Sequence, residues 1–206
     1  KGDVLLQMRG VRIEGESDEI WHEIVKGIDL TLHRGEVLGL IGESGAGKSA
    51  ALRMLASKLA PLREVIVGEV TRPQSRVTDF YREIGDLFGV PVSTSNRWGA
   101  YKTVRAKWQE HIQQTLFRPV LLVDEAQEMS PMLLAELRLL GSTKLDTCTI
   151  VTVVLCGDRR LEDKLRTLLD PQLVGDTPTL HCVEPGRLDP VFRLRRADGT
   201  QLYVKY

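Results

Sequence analysis

Apolar residues alternate with polar ones near the start of the chain and run together in four later stretches, so two kinds of strand are predicted. In EIVKGIDLTLHRG (23–35), Ile24, Ile28, Leu30 and Leu32 fall on one parity, against Asp29, Thr31 and His33 on the other. A period of two marks a half-buried strand. DVLLQMRGVRIEG (3–15) is the expected partner, with Val4, Leu6 and Met8 on one face. The later runs, EVLGLI (36–41), EVIVGEV (64–70), PVLLVDE (119–125) and TIVTVVLCGD (149–158), are apolar almost throughout. Such runs belong to strands buried on both faces.

Helical patterns separate those runs. KSAALRMLASKLA (48–60) is stopped by Pro61, and TDFYREIGDLFG (78–89) carries Thr78 as an N-cap and Gly89 as a terminator. A longer amphipathic helix spans 98–117, with Trp98, Tyr101, Trp108 and Phe117 as core and interface residues. Ser130 and Pro131 open the helix that follows, and RRLEDKLRTLL (159–169) forms a short last one. Strands alternating with helices predict a parallel sheet covered on both faces. From Asp170 the chain turns rich in Pro, Gly and Asp, and its final stretch reads as a hairpin turning at Asp198–Gly199. The expected organisation is a single domain, 1–206, with antiparallel strands over 1–35, a core over 36–172 and an extension over 173–206.

Composition narrows this only slightly. At 206 residues and 23.1 kDa, one domain with a full core is the natural expectation. The 28 basic and 28 acidic residues balance, which gives no net pull toward nucleic acid or anionic lipid but leaves room for local patches. Cys148, Cys156 and Cys182 are widely spaced and read as free thiols, and the four histidines show no metal-ligand spacing. No apolar run reaches the length of a membrane span, so the expectation is a cytoplasmic protein without direct membrane insertion.

The chemistry concentrates at the end of the 36–41 strand. Gly42-Glu43-Ser44-Gly45-Ala46-Gly47-Lys48-Ser49 fits G-x-x-x-x-G-K-S, with Ala50 continuing into the helix. Glycines there let consecutive backbone N–H groups wrap a phosphate, and the helix start adds its positive dipole end. Lys48 should reach the outer phosphates of ATP, and the Ser49 hydroxyl should ligate magnesium. Asp124, ending an apolar strand, is placed to hold that Mg2+ through water, and Glu125 to orient or deprotonate the attacking water. Asp158 has two readings, a sensor of the γ-phosphate or the N-cap of the helix after it. Trp21 also has two, a stacking face for adenine or a partly buried aromatic between strands. The fold class expected is α/β, a three-layer P-loop NTPase of the RecA/AAA-like kind with a parallel central sheet and an antiparallel N-terminal addition.

Residues 23–50 resemble the ATP-binding subunits of ABC transporters, especially the oligopeptide and dipeptide type, although no L-S-G-G-Q signature occurs in the chain. That resemblance implies adenine stacking by Trp21 and a membrane permease as partner. Residues 51–172, through TDFYREIGDLFGV, PVLLVDEAQEMSPMLLAELRLL and TVVLCGDRRLEDKLR, resemble AAA ATPases of the TniB/ExeA type. This second resemblance implies magnesium-associated and catalytic roles for Asp124 and Glu125, a sensor role for Asp158, and a homo-oligomer or a DNA or transposase partner. The Arg-bearing segment and helical lid of those ATPases are not recognisable after DPQL (170–173), which leaves Arg159, Arg160 and Arg166 as substitutes. The expected function is Mg2+-dependent ATP binding and hydrolysis, slow in isolation, as an AAA-type switch such as a transposition helper. An ABC-type subunit and a non-catalytic nucleotide-binding scaffold are the alternatives.

Overall fold

The alternating and the continuous strands separate into two sheets in the computed structural model, which describes residues 3–17, 20–43, 46–73, 76–93, 96–115, 117–141, 150–168, 180–181, 191–195 and 201–205. The first sheet has two antiparallel strands, β1 (Val4–Ser17) and β2 (Ile20–His33). Its register slips at Gly10 and Gly27, both with positive φ, and again near Ile24. These bulges undo the simple parity expected over 24–32. Val25, Leu30 and Leu32 are buried, whereas Ile24 is 39% exposed. On the partner strand Leu6 and Met8 pack inward, but a slip between Val4 and Leu6 leaves Val4 exposed.

The second sheet runs β4–β5–β6–β3–β9–β8–β7. Its parallel part comprises β4 (Val65–Val70), β5 (Arg118–Val123), β6 (Thr152–Gly157), β3 (Val37–Ile41) and β9 (Gln201–Lys205). The connecting helices are α1 (Lys48–Leu59), α2 (Val77–Phe88), α3 (Arg97–Thr115), α4 (Pro131–Gly141) and α5 (Arg159–Leu168).

Each parallel strand feeds both faces by alternation. Leu121, Val123, Val153 and Leu155 join the helical layer of Phe80, Ile84, Trp108, Leu133 and Leu161. Val120, Leu122, Val154 and Cys156 face the other way, onto Leu52, Leu55 and Leu59 of α1 and onto Leu30 and Leu32 of the hairpin. The expected three layers are therefore present, and the antiparallel addition completes one of them.

One local expectation changes. Helix α2 begins at Val77 with Arg76 in the cap position and no side-chain cap, so Thr78 lies inside the first turn rather than capping it. Gly89 does end that helix, in the left-handed conformation. At α4, Ser130 Oγ accepts the Leu133 N–H at 3.3 Å, as a cap should. Trp108 is core, but Trp98 is exposed and stacks on Tyr101.

The C-terminal hairpin forms from β8 (Val191–Arg195) and β9, and it extends the main sheet, because β9 pairs parallel with β3 and β8 pairs antiparallel with the two-residue β7 (Leu180–His181). Its expected turn at Asp198–Gly199 lies outside the described residues. Among the described residues, no helix is long and apolar enough to cross a membrane.

Candidate nucleotide-binding site

Strand β6 lies between β3 and β5, so the loop after β3, the acids after β5 and the turn after β6 all emerge at the same carboxyl edge of the sheet. Open α/β sheets bind ligands at that edge, where the chain order switches direction. Gly42 N–H bonds the Gly157 carbonyl at 3.2 Å, which stitches the loop to the end of β6.

Helix α1 starts at Lys48 directly after Gly47, whose φ of 76° is left-handed and which supplies no side-chain cap. The first amides of such a helix have no intrahelical acceptor and point outward with the positive dipole end, which suits an anion. A Cβ at Gly47 would lie 2.6 Å from Ile24 Cγ2 and 2.7 Å from Val25 Cγ2. Glycine is thus required there twice, by its φ and by the β2 strand lying against it. Lys48 Nζ donates to the Glu43 carbonyl at 2.6 Å, folded across its own loop. Glu43 in turn pairs with Arg159 at 3.2 Å. Ser49 and Ala50 occupy the first turn of α1, half-buried. Ser44 and Gly45 lie outside the described residues.

The two acids after β5 differ in pose. Asp124 is half-buried, its N–H bonds the Val70 carbonyl at 2.8 Å, and its Oδ1 accepts the Glu125 N–H at 2.9 Å. The fully buried Cys156 donates a hydrogen bond to the Asp124 carboxylate. Burial first, and then the Asp124 charge, pushes the thiol well above its ordinary range. Glu125 is exposed and is the one non-glycine with positive φ among the described residues, at 51°. A short 3-10 turn, Ala126–Glu128, follows it.

Asp158 caps α5. Its Oδ1 accepts the Arg160 N–H at 2.9 Å, and its carboxylate pairs with the Arg160 guanidinium at 2.8 Å. Arg160 also meets Glu128 at 3.0 Å. The Arg160 hydrogen bond holds the Asp158 carboxyl below the usual aspartate range, with the Lys48 charge adding to it. Lys48 acts on Cys156 in the same sense, so the loop lysine, Asp124 and Asp158 share one electrostatic neighbourhood. Trp21 is 65% exposed on β2, not enclosed between strands, and the residues of that strand against the loop are Ile24 and Val25.

A residue that motif reading passed over sits in the middle. Gln127 is buried, donates from Nε2 to Glu125 Oε2, and accepts the Asp158 N–H at 3.2 Å. The signal for it was a polar residue in the short turn directly after an acidic pair, where only a partnered amide can be buried.

A family model described as an AAA domain matches residues 15–165. The chain belongs to that family. The AAA domain is also 32% identical over 137 residues to the general secretion pathway protein A of Aeromonas hydrophila, covering 65% of this chain and 24% of that protein. It is 36% identical over 81 residues to the ABC transporter ATP-binding protein NatA of Bacillus subtilis, covering 39% of this chain and 33% of that protein. The chain therefore spans only a quarter to a third of these curated relatives' length. A solved structure of Cdc6p from Pyrobaculum aerophilum superposes with a TM-score of 0.54 at 21% identity, covering 66% of this chain and 35% of that one, which shows a shared fold. The AAA domain is of the P-loop NTPase type, with similarity to both AAA and ABC ATPases.

Proposed function

We propose that this AAA domain binds ATP with magnesium and hydrolyses it, and that the bound state is read by a partner. The observation that carries the reading is the meeting, at one sheet edge, of an uncapped helix start, Lys48, Asp124 and Glu125. The loop amides and Lys48 hold the phosphates. Ser49 and Asp124 are the residues that would hold magnesium, which supplies neutralising charge on the outer phosphates when bound. The donor set fits: the Ser49 hydroxyl in the first turn of α1 and the half-buried Asp124 carboxylate offer the one or two protein oxygens that magnesium takes at NTPase sites beside phosphate and water. Glu125 takes the water-activating role, Asp158 lies where it can respond to the γ-phosphate, and Trp21 offers adenine an exposed face.

Hydrolysis also needs positive charge on the departing phosphate, which an arginine from a neighbour supplies in many NTPases. Arg159 and Arg160 are engaged with Glu43 and with Asp158 and Glu128. Turnover by the isolated domain is therefore slow, and oligomerisation or a partner raises it. The switch output fits a DNA or transposase partner, which salt-sensitive binding to duplex DNA in the presence of ATP would reveal. A second reading, an ABC-type subunit serving a permease, is favoured by the hairpin that lies against Gly47 and by the NatA similarity.

The deciding experiment pairs calorimetry with turnover. Lys48→Ala should lose most ATP affinity, and Glu125→Gln should keep ATP while losing hydrolysis by about 100-fold or more. Unchanged affinity in Lys48→Ala would remove the site, and unchanged turnover in Glu125→Gln would mean another group activates the water.

A further inference from the structure

We infer that Gln127 is a positioning residue for Glu125, tying the pose of that acid to the start of α5. The inference rests on the proposed hydrolysis. Gln127 is 4% exposed, and its side-chain amide is polarised the right way round at both ends. The NH2 end meets the Glu125 carboxylate, and the carbonyl end meets the Asp158 backbone N–H at 3.2 Å. A carboxylate at this position would oppose one carboxylate, whereas an apolar side chain would leave the Asp158 N–H without its acceptor.

The surroundings hold Gln127 as firmly as it holds Glu125. Lys164 Nζ, from α5, donates to the backbone carbonyls of Gln127 and Met129, the latter at 3.0 Å. A Cβ on Gly157 would fall 2.6 Å from Gln127 Oε1, so the last residue of β6 has no side chain where the amide lies. Glu125 itself sits at φ 51°, a conformation that costs a non-glycine residue free energy and persists where neighbours over-determine it. Those neighbours are Asp124 Oδ1 on its N–H and Gln127 on its carboxylate.

The geometry also defines a route. Asp158 begins α5, Arg160 ties that start to Glu128, and Arg159 ties it to the phosphate loop. A partner that drew Arg159 or Arg160 away would shift the Asp158 backbone, and the shift would reach Glu125 through one buried amide. The phosphates would still be held by the loop, so such a shift changes rate rather than affinity.

The test measures kcat, KM for ATP, calorimetric ATP affinity and thermal stability. The chains compared are the wild type, Gln127→Ala, Gln127→Glu and Glu125→Gln. Gln127→Ala should lower kcat about 10- to 100-fold, the loss expected when a catalytic group drifts by about an ångström. ATP affinity should stay within about twofold. Gln127→Glu should also lower kcat, because its carboxylate replaces the amide that donates to Glu125 and repels that acid from its pose. A purely structural role would lower thermal stability and leave the kcat of the folded fraction unmoved, and that result overturns the proposal. Wild-type turnover no higher than that of Glu125→Gln, with ATP bound, overturns the hydrolysis reading and the proposal together. Wild-type turnover matched by both Gln127 variants overturns the proposal alone.

Discussion

The helical layer and the carboxyl edge of the sheet each carry a polar cluster, and the two are finished differently. Between α2, α3 and α4, Glu136 is 2% exposed and both of its oxygens are engaged. The Tyr81 hydroxyl donates to one at 2.6 Å and the Arg97 guanidinium to the other. Burial, and next the bond to Glu136, pushes the Tyr81 phenol far above its ordinary value, so it stays a neutral donor. At the sheet edge, Glu125 is exposed and Lys48 rests on a carbonyl of its own loop. A closed cluster of buried, partnered groups specifies packing. An open one, in which the first amides of a helix have no side-chain cap and a lysine rests only on a backbone carbonyl of its loop, suits a ligand. The first should govern stability and the second binding, and each can be perturbed without the other.

The largest separation should come from Glu136→Ala. It leaves the buried Tyr81 hydroxyl without an acceptor, while half-exposed Arg97 can turn to water. The expected cost is about 2–3 kcal/mol of folding free energy, read from urea denaturation, with ATP affinity of the folded protein unchanged. A fall in ATP affinity measured well below the unfolding transition would break the comparison, because the helical layer would then shape the edge. Tyr81→Phe is the gentler probe. It keeps the ring and the Arg97 partner and removes one donor, so about 1 kcal/mol is expected in the same measurement. A loss as large as that of Glu136→Ala would assign the whole cluster to the hydroxyl.

How far these regions were legible in the sequence follows from how local their causes are. The runs 36–41, 64–70, 119–125 and 149–158 became β3 to β6 because a strand buried on both faces must be apolar at every position. The loop after β3 was legible because Gly47 needs a left-handed φ and has no room for a side chain against β2. The face of β2 was misread across Gly27, since a bulge shifts parity by one and no periodicity count reveals it. The start of α2 was misplaced at Thr78 because a cap depends on the path of the preceding chain, which here runs through Arg76 without a side-chain bond. The pairing of β9 with β3 was invisible because register between distant strands is a property of the assembled sheet. Gln127 escaped for a similar reason: its partners Glu125 and Asp158 become neighbours only when β5 and β6 align.

The smallest expected effect concerns Asp158, which belongs to the edge but is partnered like a member of the closed cluster. The Arg160 bond holds its carboxyl below the ordinary aspartate value of 3.8. A group whose pKa is lowered on folding stabilises the fold above its unfolded value, and that stabilisation fades as pH falls through the folded one. Asp158→Asn keeps an N-cap side chain, because asparagine accepts the Arg160 N–H as aspartate does. At neutral pH the variant should therefore lose at most about 0.5 kcal/mol, the scale of an exposed ion pair. Below about pH 4 the native and variant stabilities should converge, since protonated aspartic acid has lost the same charge. Unfolding followed against pH would show the native curve falling faster through that acid window. Two curves that stay parallel to the lowest pH would mean that Arg160 leaves Asp158 in solution. The start of α5 would then be as open as the loop beside it, free to answer a bound phosphate or a neighbouring subunit.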